Sequence, residues 1–271
     1  MTRDIAAVRA AARLGSGEWD GVAGPEIDDV GRAAIFLDLD GTLADIAETP
    51  SAVRIAPDLL ETLEALRSRV GGALAIISGR DIEDIDQLVA PHRFAAAGVH
   101  GARRRAADGK HYGNGLRATE VERFAEAFRR ELSGESGLLI EIKAAAFALH
   151  YRLRPDLKER CAAFVRRQID HEPGLRVLAG KAVYEIVSRD TSKGAAIRAF
   201  MNEAPFAGRV PIFAGDDITD EAGFTVVNEM RGVSIKIGEG PTLAAHRLSG
   251  ADEFRHWLSW LAITSNQDSE S

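Results

Sequence analysis

The chain has 271 residues, of which 45% are hydrophobic and 28% charged, and these proportions predict a packed α/β protein of one large domain or of one domain plus a smaller one. Its net charge of −7 speaks against a nucleic-acid partner, though not against an anionic substrate met by local positive charge. No apolar run approaches the ~18 residues that span a bilayer, and a single cysteine, Cys161, excludes an intrachain disulfide, so no membrane and a reducing, cytoplasmic setting are expected.

Residues 1–31 read as an appendage. Ile5 to Leu14 is Ala-rich and of helical character, with Asp4, Arg9 and Arg13 breaking any leader-like apolar core. Gly15 to Gly31 has linker composition and carries no chemistry.

Ala33 to Leu37 is an apolar run of strand formers that ends in Asp38-Leu39-Asp40-Gly41-Thr42. Side chains alternate along an extended chain, so Asp38 and Asp40 point one way and Leu39 the other. Two neighbouring carboxylates repel unless a proton or a cation lies between them, and a hard cation with oxygen ligands, Mg²⁺ above all, suits the pair. One carboxylate can then attack phosphorus while the other handles the leaving group's proton. The plain alternative is a strand followed by an acidic turn.

Pro57 opens a helix with an apolar face of Leu59, Leu60, Leu63, Leu66 and Val70, and Gly71-Gly72 ends it. Leu74 to Ile77 is a second buried strand, stopping at Ser78-Gly79-Arg80 ahead of a helix from Asp81 to about Val89. Ser78 either holds a phosphate oxygen beside free backbone N–H groups or simply caps that helix. This alternation predicts a doubly wound, mainly parallel sheet with ligands at the carboxyl ends of its strands, which sets Ser78 beside Asp38. Phe94 to Val99 is a third strand, ending at His100-Gly101.

From about Gly109 to Arg189 the alternation stops. Thr119-x-x-Glu122 reads as a capping box opening a helix to Leu132. Leu138–Lys143 with Ala146–Arg152 reads as a hairpin, Pro155–Ile169 as a helix that contains Cys161, and Leu175–Ala179 with Ala182–Ser188 as a second hairpin. The result is an inserted αββαββ module of α+β type. By strand register, one sheet face is apolar and the other carries Glu141, Lys143, His150, Arg152, Lys181 and Glu185. That second face is either merely solvated or suited to many sugar hydroxyls.

After the insert, Thr191-Ser192-Lys193-Gly194 begins a helix, where Lys193 either reaches an anion between strand ends or sits in solvent. Val210 to Ala214 is a further buried strand, and it ends in Gly215-Asp216-Asp217-Ile218-Thr219-Asp220-Glu221. This second acidic cluster either holds a metal or caps the helix Asp220–Val227. Val233–Ile237 reads as a last strand, Pro241–Leu248 and Glu253–Leu261 as closing helices, and 265–271 as a polar tail. The expected division is therefore a catalytic core of 32–108 and 190–264, with a cap of 109–189 inserted in it.

The D-x-D-G-T stretch resembles the first motif of the haloacid dehalogenase superfamily of phosphatases. Ser78-Gly79-Arg80, Gly98-x-His100-Gly101, Phe147-Ala-Leu-His-Tyr-Arg152, Gly180-Lys181-x-Val183-x-Glu185, Lys193-Gly194 and Gly215-Asp-Asp-Ile-Thr-Asp-Glu-x-x-Phe224 together resemble the bacterial trehalose-6-phosphate phosphatase family, over about Ala33 to Leu261. The resemblance implies a Rossmann-like core with a cap, and Mg²⁺ held by Asp38, the carbonyl of Asp40, and Asp216, with Asp217 in support. It implies Asp38 as nucleophile and Asp40 as acid and base, with Gly41, Thr42, Ser78, Gly79 and Lys193 on the phosphoryl group. His100, Gly101, Glu141, Lys143, His150, Arg152, Lys181 and Glu185 would hold trehalose 6-phosphate, the product of a trehalose-6-phosphate synthase to which a functional link follows. Two positions depart from the family pattern: Arg103 stands where an acid is common, and Ala144-Ala145-Ala146 where a glycine is often seen. Other readings are a phosphatase of sucrose or glucosylglycerol phosphate, a phosphomutase, and a silent phosphosugar sensor.

Overall fold

The computed structural model describes residues 24–47, 49, 52–113, 116–143, 146–180 and 182–263. The expected helix at Ile5–Leu14, residue Lys181 and the tail at 265–271 lie outside the described residues. From Gly24 the chain is docked onto the core, unlike the bare linker its composition indicates. The Trp257 indole N–H donates to the Pro25 carbonyl at 3.2 Å, and Arg209 donates to the Gly31 carbonyl at 2.6 Å.

Strand β1 (Ala33–Leu37) is buried along its whole length, which only a sheet covered on both faces allows. Helix α1 (Pro57–Arg69) follows, with Pro57 pre-setting its first turn and Leu63 and Leu66 fully buried. Each of those leucines contributes about 1.5–3 kcal/mol by leaving water. Gly71 and Gly72 end the helix at φ +59° and +90°, left-handed values that cost a glycine little. Strand β2 (Leu74–Ile77), helix α2 (Ile82–Leu88) and strand β3 (Ala95–Gly98) repeat the unit.

Two short strands then appear that the sequence reading lacks, β4 (Arg103–Arg105) and β5 (His111–Gly113). Both pair antiparallel and extend the core sheet. The sheet thus runs past the expected start of the insert at 109. The inserted layer comprises α3 (Ala118–Glu131), β6 (Leu139–Lys143), β7 (Ala146–His150), α4 (Lys158–Ile169), β8 (Leu175–Gly180) and β9 (Val183–Ser188). The expected capping box at Thr119 and Glu122 is replaced by one set two residues earlier, where the Glu120 carboxylate accepts the Arg117 backbone N–H at 2.7 Å.

The chain returns to the core through α5 (Lys193–Met201), β10 (Val210–Gly215), α6 (Glu221–Glu229), β11 (Val233–Ile237), β12 (His246–Leu248) and α7 (Ala251–Ile263). The closing helix read at Pro241–Leu248 is not formed. That segment is irregular and ends in β12, which pairs parallel with β11. The core sheet is eight-stranded in the order β12-β11-β10-β1-β2-β3-β4-β5. Helix α1 packs with α7 and α5 packs with α6, covering the sheet.

The register of this sheet aligns the strand ends. Leu37 lies beside Ala214 and Ile76, and the Asp38 N–H donates to the Ala214 carbonyl at 3.0 Å. Asp38, Ser78 and Asp216 therefore leave adjacent strands at one edge.

The cap sheet is four-stranded in the order β6-β7-β9-β8. Phe147, Leu149, Tyr184 and Ile186 pack under α3 and α4. The Phe124 and Phe147 rings meet edge-on at 5.9 Å, and Tyr151 stacks on Tyr184 at 5.1 Å. Cys161 is buried in this layer, and burial pushes its thiol up, away from the thiolate a nucleophile needs. The opposite sheet face is not uniformly charged. Ala146 and Val187 pack on Val99 and Ala102 of the core, with Leu178 against them, so this apolar contact docks the cap and leaves the polar residues to line a cleft.

Candidate active site

The Asp38 carboxylate sits at the centre of the aligned strand ends and is 4% exposed. The Lys193 ammonium, at the start of α5, donates to Asp38 Oδ1 and to Asp220 Oδ1, each at 2.6 Å. The Thr42 hydroxyl donates to Asp38 Oδ2 at 3.2 Å. Burial pushes the Asp38 carboxyl well above its ordinary range; Lys193 opposes that, and the charges of Asp220 and Asp216 add to it. Burial works against the charge on Lys193 too, but Asp220 and Asp38 outweigh it and hold the ammonium above its usual range.

Asp38, Asp216 and Asp220 each bring a carboxylate oxygen to within 4.8 Å of the others. Among the described residues Lys193 is the cation that bonds both buried carboxylates, and three carboxylates converging on one point suit a hard divalent cation. Gly41 enters this cluster at φ +88°, and a Cβ there would collide with the Asp216 carboxylate. Lys236 donates to the Asp216 backbone carbonyl and ties down the turn that presents it.

Asp217 has a different place. Its carboxylate accepts the Ile218 N–H at 2.7 Å, and its own N–H donates to Asp220 Oδ2 at 2.9 Å. It lines the cleft and stands outside the three-carboxylate set. Asp220 belongs to the second acidic cluster singled out in the sequence, but it is not among the individual ligands expected there, where Asp217 is. The available signal for Asp220 was its place in the same short acidic run after a buried strand, at the turn that leads into the next helix.

Asp40 is clamped by Arg80, whose Nε and Nη2 donate to its two carboxylate oxygens at 2.7 and 2.6 Å. In the sequence Arg80 stands out only within Ser78-Gly79-Arg80, and nothing local reveals its partner 40 residues away. The Ser78 hydroxyl accepts the Arg80 N–H at 3.2 Å and lines the cleft with Gly79, whereas the following helix starts from Asp81 with no side-chain cap, so Ser78 does not cap it.

The cleft continues from this centre toward the cap. A catalytic end of about 280 Å³ holds Asp38, Lys193 and Asp216, and an adjoining space of about 300 Å³ holds Glu141 and His150. Asp40, His100, Arg152 and Glu185 line both. His100 of the core meets Glu185 of the cap at 3.1 Å, and His150 meets Glu141 at 2.9 Å. His100 is presented by a left-handed turn in which Val99, His100 and Gly101 have φ of +50°, +55° and +101°. Two non-glycine residues in that region store strain, a common feature of functional sites. Lys143 ends β6 and its side chain, like all of Lys181, lies outside the described set.

A family model, "Trehalose-phosphatase", matches residues 36–250. A trehalose-6-phosphate phosphatase of Escherichia coli is 42% identical over 89% of this chain and 90% of its own length. A "probable trehalose-phosphate phosphatase" of Sinorhizobium fredii is also 42% identical, over 87% of this chain and 89% of that protein. The chain belongs to the trehalose-phosphatase family. Among solved structures, that of a trehalose-6-phosphate phosphatase related protein superposes with a TM-score of 0.66 at 29% identity, over 84% of this chain and 96% of that one.

The trehalose-phosphatase match encloses every residue of the site from Asp38 to Asp220. Arg103, the departure from the family pattern, turns to Glu83 with two bonds of 2.9 and 3.0 Å and does not line the catalytic cleft.

Proposed function

We propose that this chain hydrolyses trehalose 6-phosphate to trehalose and inorganic phosphate, with Asp38 as nucleophile. The observation that carries the reading is a single continuous cleft with the Asp38–Lys193 centre at one end and the His100–Glu185 and Glu141–His150 pairs at the other. The names of the E. coli and S. fredii relatives support the choice of substrate.

In this mechanism an Asp38 oxygen attacks phosphorus in line, and the bond from phosphorus to the sugar oxygen breaks. Asp40, steadied by Arg80, gives its proton to the departing oxygen. It then takes a proton from the water that cleaves the aspartyl-phosphate, which restores Asp38 and frees phosphate. Lys193, Ser78, Thr42 and the amides of Gly41 and Gly79 offset charge on the phosphoryl oxygens. Asp38, Asp216 and Asp220, with the carbonyl of Asp40, would hold Mg²⁺, whose charge when bound further offsets those oxygens. Asp217 supports the set through its N–H on Asp220. Glu185, His100, Glu141, His150 and Arg152, with Gly101, Lys143 and Lys181, give the disaccharide hydroxyls charge-assisted partners. The substrate would come from a glycosyl transfer onto a sugar phosphate, the reaction of a trehalose-6-phosphate synthase. No helix among the described residues is long and apolar enough to cross a membrane, consistent with action on a water-soluble sugar phosphate.

The test is phosphate release from trehalose 6-phosphate, sucrose 6-phosphate, glucose 6-phosphate and p-nitrophenyl phosphate, with and without Mg²⁺. Preference for the first, lost on chelation, is expected. Equal rates on all four, or indifference to chelation, would refute the reading.

A further inference from the structure

Beside Lys193, another pocket of about 300 Å³ opens between β8 and the segment from Ile218 to Ala222. It shares His100, Leu178, Ala179, Lys193 and Thr219 with the catalytic end of the cleft, and none of Glu141, His150 and Arg152 lines it. Its charged residue not shared with the catalytic end is Arg176. On β8 this residue alternates with Leu178, which pairs with Glu185 across the sheet, so its side chain leaves the same, core-facing side.

The bonding of Arg176 is incomplete. One terminal nitrogen donates to the Thr191 carbonyl, while its Nε is buried with no hydrogen-bond partner. Burial disfavours its charge, and a second guanidinium, Arg189, adds to that. Arg189 itself donates to the Pro173 and Leu175 carbonyls at 2.8 and 3.3 Å. Neither arginine forms an ion pair with an acid among the described residues. Two other cations of the cleft are paired with acids, Lys193 with Asp38 and Arg80 with Asp40. A buried donor left unmade is unfavourable, and an oxyanion is the partner that a guanidinium fork accepts best.

We propose that this pocket is a phosphate site, anchored by Arg176, which receives inorganic phosphate from the catalytic centre through their shared lining and passes it on to solvent. The proposal rests on the phosphatase reading for the source of the anion, and free phosphate from solution satisfies the same chemistry. Two measurements separate the sources. Equilibrium dialysis of labelled inorganic phosphate in Mg²⁺ reports the site itself: the wild-type chain should bind more than one phosphate, and Arg176→Gln should weaken the second class roughly tenfold. Exchange of ¹⁸O between inorganic phosphate and water requires passage to Asp38, so the same variant should slow exchange if the pocket is the route. Arg176→Lys should restore part of both. Ile218→Glu, at a position 73% exposed and therefore tolerant, should repel the anion and lower both without disturbing the fold. A single class of bound phosphate in the wild type overturns the site, and unchanged exchange in Arg176→Gln with weakened dialysis overturns the route. Failure of the phosphatase reading is seen separately, as no phosphate released from any sugar phosphate, while the dialysis still reports on the pocket.

Discussion

Replacing Lys193 with methionine keeps the length of the side chain and removes its charge. In the native chain the ammonium lies 2.6 Å from both Asp38 and Asp220, and the three side chains are 3%, 5% and 0% exposed. Neither carboxylate can turn to water, so the variant leaves two buried anions without their cation. Breaking a buried pair of this kind destabilises by about 3–5 kcal/mol. For a chain of this size that corresponds to a fall in Tm of about 6–15 °C, measured by calorimetry in EDTA. Adding Mg²⁺ should recover part of the loss, because a dication among Asp38, Asp216 and Asp220 replaces the missing charge. Turnover should fall about 10²–10³-fold, the usual effect of losing one group that offsets oxyanion charge. A metal-free Lys193→Met chain that melts with the wild type would refute the reasoning, since the acids would then not depend on the ammonium.

Asp38→Asn should abolish turnover and also change the pH profile of metal-free stability. Burial, opposed by Lys193 and reinforced by Asp220 and Asp216, holds the folded carboxyl above its ordinary 3.8. Between the unfolded and folded values the folded chain binds more protons, so wild-type stability is lost as pH rises through that window. The asparagine variant should lack that fall in urea titrations run across the acidic range, and an identical fall in both would refute the assignment. Arg80→Gln should lower kcat for the sugar phosphate far more than the burst of nitrophenol from p-nitrophenyl phosphate, because the aryl leaving group needs no proton from Asp40; equal losses would mean that Arg80 does not serve the acid. Glu185→Gln should raise KM for trehalose 6-phosphate several-fold and leave that for p-nitrophenyl phosphate in place, and a change in both would remove Glu185 from the sugar end.

Much of this site is legible in the chain because its parts are local. An apolar run that stops at Asp38-x-Asp40, another that stops at Ser78, and a third that stops at Asp216 each declare a strand end. Parallel pairing then has little freedom but to align them, as the neighbouring positions of Leu37, Ile76 and Ala214 record. The period-two pattern of β7 and β9 likewise separates Phe147, Leu149, Tyr184 and Ile186 from Glu185. Short polar segments carry no such signal. Arg103–Arg105 became β4 through pairing with Ala96–Gly98, and His246–Leu248 became β12 through pairing with β11, where residue type alone favoured neither.

The amino-acid sequence by itself determined which residue types stand at the carboxyl ends of the strands, since burial of continuous apolar runs sets where each strand begins and stops. Tertiary structure alone decided the pairings among them: Lys193 with both Asp38 and Asp220, Arg80 with Asp40, and His100 with Glu185. A charged side chain buried by the fold must find its counter-charge among whatever the packing brings within about 3 Å, and that choice is made across the chain and not along it.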